Sequence, residues 1–140
     1  MISQDRESSR GVFVQVWEKY RNGEQLEPLQ QLVLTVILEH PEYHAGLEDP
    51  DVRFRDYAPE SGRENPFMHM GMHIAIREQV STDRPPGISA IYQNLSDRFQ
   101  DEHRLQHRMM ECLGESLWQA QQSGGMPDDA DYLECLRKLR

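Results

Sequence analysis

Cysteine is scarce in this sequence, which has only Cys112 and Cys135 among its 140 residues. The two lie far apart and form no CxxC motif, which excludes a structural zinc site built on four thiolates. Disulfides are rare in the cytoplasm, the compartment expected for this chain, so we expect both thiols to be reduced and packed. Metal chemistry, if present, uses other side chains.

Long hydrophobic runs are also missing. No segment approaches the 18 apolar residues of a membrane-spanning helix. The first ten residues, MISQDRESSR, lack the apolar centre of a signal peptide. We therefore expect a cytoplasmic protein that has no membrane partner.

Basic residues are outnumbered, with 15 Lys and Arg against 24 Asp and Glu and a formal net charge of −9. Nonspecific binding to nucleic acid or to anionic lipid needs a basic surface, because both present negatively charged phosphates. We therefore expect no nucleic-acid partner. The partners that fit the sequence are metal ions, together with a small-molecule substrate or dioxygen.

Alternating strand patterns are absent, whereas apolar residues recur at helical spacing. This pattern predicts an all-α bundle of about five to six helices with a histidine-lined core, in a single domain over residues 1–140. The predicted helices run from near Asp5 to Arg21, from Pro28 to about His40, from Pro66 to Val80, from Ile88 to Phe99, from Asp101 to about Gln122, and from Tyr132 to Leu139.

Three local signals set the helix ends. Asn65 and Asp101 are predicted N-caps, and Pro41 should end or bend the second helix because the residue before a proline disfavours helical geometry. His44 should then lie on a short helical turn that begins at Pro41. Residues 48–64 are rich in proline, aspartate and arginine without a period, which predicts a long connecting loop suited to a lid.

The histidines form three HxxxH pairs, a spacing for which chance placement would give roughly 0.2 pairs. Imidazoles four residues apart lie on one helix face, about 6 Å apart along the axis, where both can reach one ion or two neighbouring ions. The pattern therefore predicts a metal site. Its histidine ligands are His40, His44, His69, His73, His103 and His107.

Carboxylates accompany each pair, and Glu48 and Asp49 follow His44 by four and five residues. Glu111 follows His107 by four residues and Glu78 follows His73 by five, so both are predicted ligands. We expect His103, His107 and Glu111 to form a ladder on the core-facing side of their helix. The other residues on that side are Met110, Gly114, Leu117 and Trp118.

The three histidine pairs differ in how regular the predicted helix around them is. Those at 69/73 and 103/107 lie on uninterrupted predicted helices, whereas Pro41 disturbs the pair formed by His40 and His44. For any single histidine the alternative is a buried side chain that is satisfied by a hydrogen bond. Six buried imidazoles would need six such partners, which favours an ion.

Imidazole and carboxylate ligands suit iron, manganese, zinc or copper, and we expect iron. A copper site would draw on Met68, Met70 and Met72. Alternate residues of a helix cannot face one point, however, so Met72 is expected to pack in the core.

Two resemblances follow from these motifs. The stretches HPEYH, NPFMHMGMHIAIREQ, RPPGI, HRLQHRMMECLGE and WQAQ resemble the bacterial family catalogued as domain of unknown function 1841, across nearly the whole chain. That resemblance implies one domain and carries no activity to transfer. The HxxxE spacing at 107/111 and the HxxxxE spacing at 73/78 partially resemble hemerythrin-type di-iron proteins.

The function predicted from these features is a non-haem, dinuclear metal protein in redox or dioxygen chemistry or sensing, with Tyr43 or Tyr92 near the site. A mononuclear zinc hydrolase is the first alternative, with three histidine ligands and Glu111 or Glu78 as general base. A helical interaction module with structural or pH-responsive histidines is the second.

Overall fold

The computed structural model describes residues 2–49 and 65–140. Its α-helices are α1 (Ile2–Arg21), α2 (Pro28–Leu38), α3 (His44–Leu47), α4 (Pro66–Thr82), α5 (Ile88–Phe99), α6 (Glu102–Ser123) and α7 (Asp129–Arg137), with a 3₁₀ turn at Pro41–Tyr43. No strand occurs within the described ranges, and the predicted all-α fold is confirmed. The predicted loop at 48–64, with its suggested lid role, falls outside the described residues from position 50 onward.

The predicted caps and the proline break are confirmed. The side-chain oxygen of Asn65 accepts hydrogen bonds from the backbone N–H groups of Phe67 and Met68, at 3.0 and 3.1 Å. Asp101 accepts one from Arg104 N–H at 3.1 Å. Helix α2 ends at Leu38, and the 3₁₀ turn begins at Pro41. Local sequence chemistry thus sets where these helices begin and end.

The chain divides into two compact units, residues 1–74 and 75–140. In the first unit, α1 packs against α2 and α3. The core of this unit contains Phe13, Val14, Val16, Trp17, Val33, Val36, Ile37, Leu47, Phe67 and Met70. The prediction of one domain over residues 1–140 stays a prediction.

In the second unit, α6 packs against α5 and α7, and α5 contacts α7. The face of helix α6 that is buried differs from the predicted face. Its buried residues are Leu105, Gln106, Met109, Cys112, Leu113 and Ser116.

The predicted inward ladder on α6 is therefore wrong. His103 is partly exposed, while Glu111, Leu117 and Trp118 are exposed. The buried residues lie at i, i+1, i+4, i+7, i+8 and i+11 from Leu105, an amphipathic stripe that includes no charged residue. Burial follows the more apolar stripe because burying a carboxylate is costly.

The two cysteines form a disulfide between α6 and α7, so the prediction of reduced thiols is wrong in this structure. The Cα atoms of Cys112 and Cys135 lie 5.8 Å apart, within the range that a disulfide spans. The packing of α7 on α6 creates this proximity across 23 residues of sequence. No helix in the described parts of the chain has the length and apolar character that crossing a bilayer requires.

Candidate metal centre

His40 sits just past the end of α2, buried to 2% exposure, and its side chain turns back onto that helix. Its Nδ1 lies 2.7 Å from the carbonyl oxygen of Val36. Because a carbonyl only accepts, Nδ1 carries the proton and donates it, and Nε2 is the basic nitrogen of the neutral ring. A ring oriented in this way by a backbone carbonyl is the usual form of a metal-binding histidine.

His69 and His73 lie one turn apart on α4, with ring centroids separated by 5.0 Å. His73 is fully buried and His69 is partly buried. The sequence prediction that this pair shares one helix face is confirmed. Met70 and Ile76 are the fully buried apolar residues of the same helix.

These three rings form one compact group, which we call the three-histidine group: His40, His69 and His73. The centroid of the His40 ring lies 4.9 Å from each of the other two. Ligand atoms of His40 and His73 lie within 4.8 Å of each other, close to the span of two metal–nitrogen bonds, about 4 Å. His40 and His73 therefore offer two imidazole donors within reach of one ion, and the His69 ring lies beside them.

Tyr43 borders the three-histidine group. Its ring stacks nearly parallel to that of His40, with centroids 5.5 Å apart, and meets His69 edge-on at 6.1 Å. Tyr43 thus lies against two predicted histidine ligands, and its place near a metal site stays a prediction. Tyr92, the alternative, lies in the second unit, where its hydroxyl accepts a hydrogen bond from Gln106.

His44 is engaged elsewhere. Its Nε2 donates to the carbonyl oxygen of Ile37 at 2.8 Å, and its ring packs on Trp17 with centroids 4.3 Å apart. Pro41 supplies the reason, because it lacks the N–H that would bond to the Ile37 carbonyl. His40 and His44 thus each donate to a carbonyl in the last turn of α2. They do not form the one-face pair that their spacing predicts on a regular helix.

The second unit holds a separate histidine pair on α6. The rings of His103 and His107 have centroids 4.3 Å apart, and their ligand atoms lie within 4.8 Å of each other. The i, i+4 pairing is therefore confirmed, although the helix face is not buried as predicted. Both imidazoles remain candidate ligands.

The predicted carboxylates lie on exposed surface. The Glu111 side chain is 70% exposed and pairs with Arg108 at 3.2 Å. Glu78 is exposed, and its carbonyl accepts hydrogen bonds from the hydroxyls of Ser81 and Thr82. Their roles as ligands stay predictions. To bind an ion, Glu111 would have to give up its ion pair with Arg108.

Sequence reasoning missed the backbone partner of His40 and the contact between His44 and Trp17. A signal for the first exists in the dipeptide His40-Pro41. Pro41 ends the helix, so the backbone N–H of His40 donates to the Ile37 carbonyl at 3.0 Å rather than to Val36, and the His40 imidazole donates to the Val36 carbonyl in its place.

Comparison with known proteins gives one family match. The family described as Domain of unknown function (DUF1841) matches residues 5–138. No curated protein matches the chain, and no solved structure does.

Proposed function

The chain belongs to the DUF1841 family, whose description names no activity, and we propose from its histidine geometry that it is a non-haem transition-metal-binding protein. The supporting observation is the three-histidine group of the first unit. His40 and His73 have ligand atoms within 4.8 Å of each other, and a rotation of the neighbouring His69 ring would complete the three ligands of an open metal site, which keeps one position for water or substrate.

The hydrogen bond at His40 supports this proposal independently. Donation from Nδ1 to the Val36 carbonyl fixes both the tautomer and the orientation of the ring. In metal sites such a partner makes the opposite nitrogen a better ligand. Burial of His40 and His73 keeps competing water away from the donors.

We propose iron as the ion and redox or dioxygen chemistry, including sensing, as the activity. Histidine donors without thiolates suit iron and manganese, and both cysteines are in the disulfide. Tyr43, which stacks on His40, would be the nearest redox-active side chain that the chain provides. His103 and His107 on α6, with Glu111, supply donors for a second ion, in keeping with the predicted stoichiometry of two.

A mononuclear zinc hydrolase is the second candidate, because three histidines are also the ligand set of a catalytic zinc. Zinc would supply an activated water when bound. Elemental analysis separates the two proposals, because it identifies the bound ion as iron or as zinc.

A structural role for the histidines is the third candidate, and a specific observation favours it. His40 and His44 donate to the carbonyls of Val36 and Ile37, which caps α2 without any ion. This alternative predicts that His40→Ala destabilises the apo protein and that metal has no effect on it.

The decisive experiment is elemental analysis of protein purified gently without a histidine tag. We expect one to two equivalents of a first-row transition metal, and His73→Ala should remove at least one. His44→Ala is the matched control, because it removes an imidazole of the same unit that lies against Trp17. Less than a tenth of an equivalent, with no uptake of Fe(II), Mn(II) or Zn(II), would favour the structural role.

We propose the cytoplasm as the compartment. Cytoplasmic glutathione and thioredoxin reduce most disulfides, so the Cys112–Cys135 disulfide of this structure provides a test of this proposal. Alkylation of thiols during rapid cell lysis, followed by mass spectrometry, measures which form the cell contains. A fully oxidised pair would place the protein in an oxidising compartment instead.

A further inference from the structure

A cationic cleft lies in the second unit of this acidic protein. The cleft has a volume of about 320 Å³ and is lined by Arg98, Phe99, Arg104 and Arg140. Three of its four lining residues carry a guanidinium group and no Asp or Glu side chain lines it, although the chain has a net charge of −9. We call it the arginine cleft.

Two of the guanidinium groups are held in place by neutral partners. Arg98 donates from Nε and Nη2 to the side-chain oxygen of Asn94, at 3.3 and 3.2 Å. The guanidinium of Arg104 lies over the ring of Phe99, 5.8 Å from its centroid. Both guanidinium groups are thus held in position by uncharged side chains, which leave their positive charges uncompensated.

Some arginines of the described residues are instead paired with carboxylates. Arg21 pairs with Glu48 at 2.9 Å, and Arg137 pairs with Glu134 at 3.5 Å. Within residues 2–49 and 65–140, neither Arg98 nor Arg104 has a carboxylate within ion-pair distance. Like charges gathered in one cleft repel one another, so this arrangement costs free energy that a bound anion would offset.

The third arginine is fixed through its backbone. The carbonyl oxygen of Arg140 accepts a hydrogen bond from Nη1 of Arg108 at 3.2 Å. This contact links the end of the described chain to α6 and places Arg140 at the cleft. The three guanidinium groups thus come from α5, from the first turn of α6 and from the segment after α7.

A second cleft of about 270 Å³, with mixed polar and apolar lining, adjoins the arginine cleft, since Arg98 lines both. Its other lining residues are Ala90, Ile91, Asn94, Leu95 and Arg137. A ligand that spans the two would place a negative group among the arginines and an apolar group against Ile91 and Leu95.

We propose that the arginine cleft binds a small organic phosphate, with the phosphate group between Arg98, Arg104 and Arg140 and the apolar part in the adjoining cleft. Phosphate matches the chemistry because guanidinium forms paired hydrogen bonds with its oxygens and because its charge near −2 offsets more than one arginine. This site lies wholly within residues 75–140 and does not depend on the proposed metal site.

The test uses phenyl phosphate as the probe, titrated into the full-length protein at low ionic strength and followed by calorimetry. We expect submillimolar affinity for phenyl phosphate and at least tenfold weaker binding of benzoate, which carries the same ring and a single charge. Arg104→Gln and Arg98→Gln should each weaken phenyl phosphate binding at least tenfold. Arg84→Gln is the matched control, an exposed arginine of the same unit that lines neither cleft.

Three results would overturn the proposal. The first is no binding of phenyl phosphate at 10 mM, about ten times the weakest affinity expected here. The second is equal affinity for benzoate, which would exclude selection for phosphate. The third is equal weakening by Arg84→Gln, which would mean that overall charge and not the cleft attracts the probe. Circular dichroism of each variant verifies that its helices are intact, and Arg98→Lys provides a second variant that retains the charge but loses the paired geometry.

Discussion

The Nδ1–H of His40 donates to the carbonyl oxygen of Val36 across 2.7 Å, while the ring of His40 stacks on Tyr43. This hydrogen bond thus caps the last turn of α2 and sets the tautomer of the buried His40 imidazole. This hydrogen bond is compatible with a metal-binding role and with a purely structural role of His40. Only an experiment that adds or removes metal can therefore distinguish the two proposals.

Loss of individual histidines should affect metal content unequally. We expect His107→Ala to lower the metal content more than His44→Ala, because His107 lies beside His103 on a regular helix and His44 donates to Ile37 and packs on Trp17. Inductively coupled plasma mass spectrometry of the purified variants measures the difference. Equal losses would mean that the turn after Pro41 belongs to the site.

Metal should stabilise the folded protein. Binding only to the folded state at one hundred times the dissociation constant adds about 2.7 kcal/mol, which is about 5–10 °C in melting temperature for a chain of this length. At pH 5 the effect should shrink, because protons compete with the ion for imidazole nitrogens. Thermal unfolding with and without Fe(II) or Zn(II) at pH 7.5 and pH 5 measures it. Mg²⁺, which prefers oxygen ligands, is the control, and a melting temperature indifferent to every ion would exclude a folded-state site.

The disulfide should contribute measurably to stability. Closing a loop across 23 residues of sequence stabilises by roughly 3 kcal/mol in the chain-entropy account. Replacing both cysteines, as Cys112→Ser with Cys135→Ser, should lower the free energy of unfolding by about that amount. Denaturant titration of the variant and of the wild type, each with and without dithiothreitol, gives the comparison. Reductant should leave the variant unchanged, and an unchanged wild type would mean that the disulfide does not stabilise the protein.

Asp83 should make a pH-dependent contribution to the free energy of unfolding. Its carboxylate accepts hydrogen bonds from the backbone N–H groups of Ser89 and Gly87, at 3.0 and 3.1 Å, and these lower its pKa below 3.8, the Ser89 bond having the largest effect. A lowered folded pKa means that the stabilisation is present above the unfolded pKa and is lost as pH falls through the folded value.

Asp83→Asn should therefore destabilise the protein at pH 7, with a smaller difference from wild type as pH falls below 3.8. Asn is the matched replacement because it keeps an acceptor oxygen and tolerates the positive φ of 54° at this position. Denaturant titrations of both proteins across this pH range give the difference. A difference that grows on acidification would contradict the assigned hydrogen bonds.

Helix positions and ends were largely predictable from the sequence, because their causes are local. Asn65, Asp101 and Pro41 act on backbone groups only a few residues away, so the local sequence is enough to predict these helix ends. The three-histidine group was predictable in part. The spacing of His69 and His73 gave their shared face, whereas the return of His40 onto α2 depends on carbonyls that only the end of the helix makes available.

The predicted orientation of α6 is wrong because its histidines do not lie on the buried face. Leu105, Met109 and Leu113 follow at steps of four, and this apolar stripe was visible in the sequence. The disulfide was not predictable in the same way. Cys112 and Cys135 lie on different helices, and their proximity depends on how those helices pack rather than on spacing.

The contact between Trp17 and His44 gives the first unit a built-in optical reporter. The chain has two tryptophans, and they lie in different units and different surroundings. The indole of Trp17 is 7% exposed, packs on His44 and donates to Glu48, whereas Trp118 is 60% exposed. Because a buried indole emits at shorter wavelength than a hydrated one, the shift of emission to longer wavelength on unfolding originates mainly from Trp17. Intrinsic fluorescence therefore follows the unit that contains the three-histidine group, and no added label is needed.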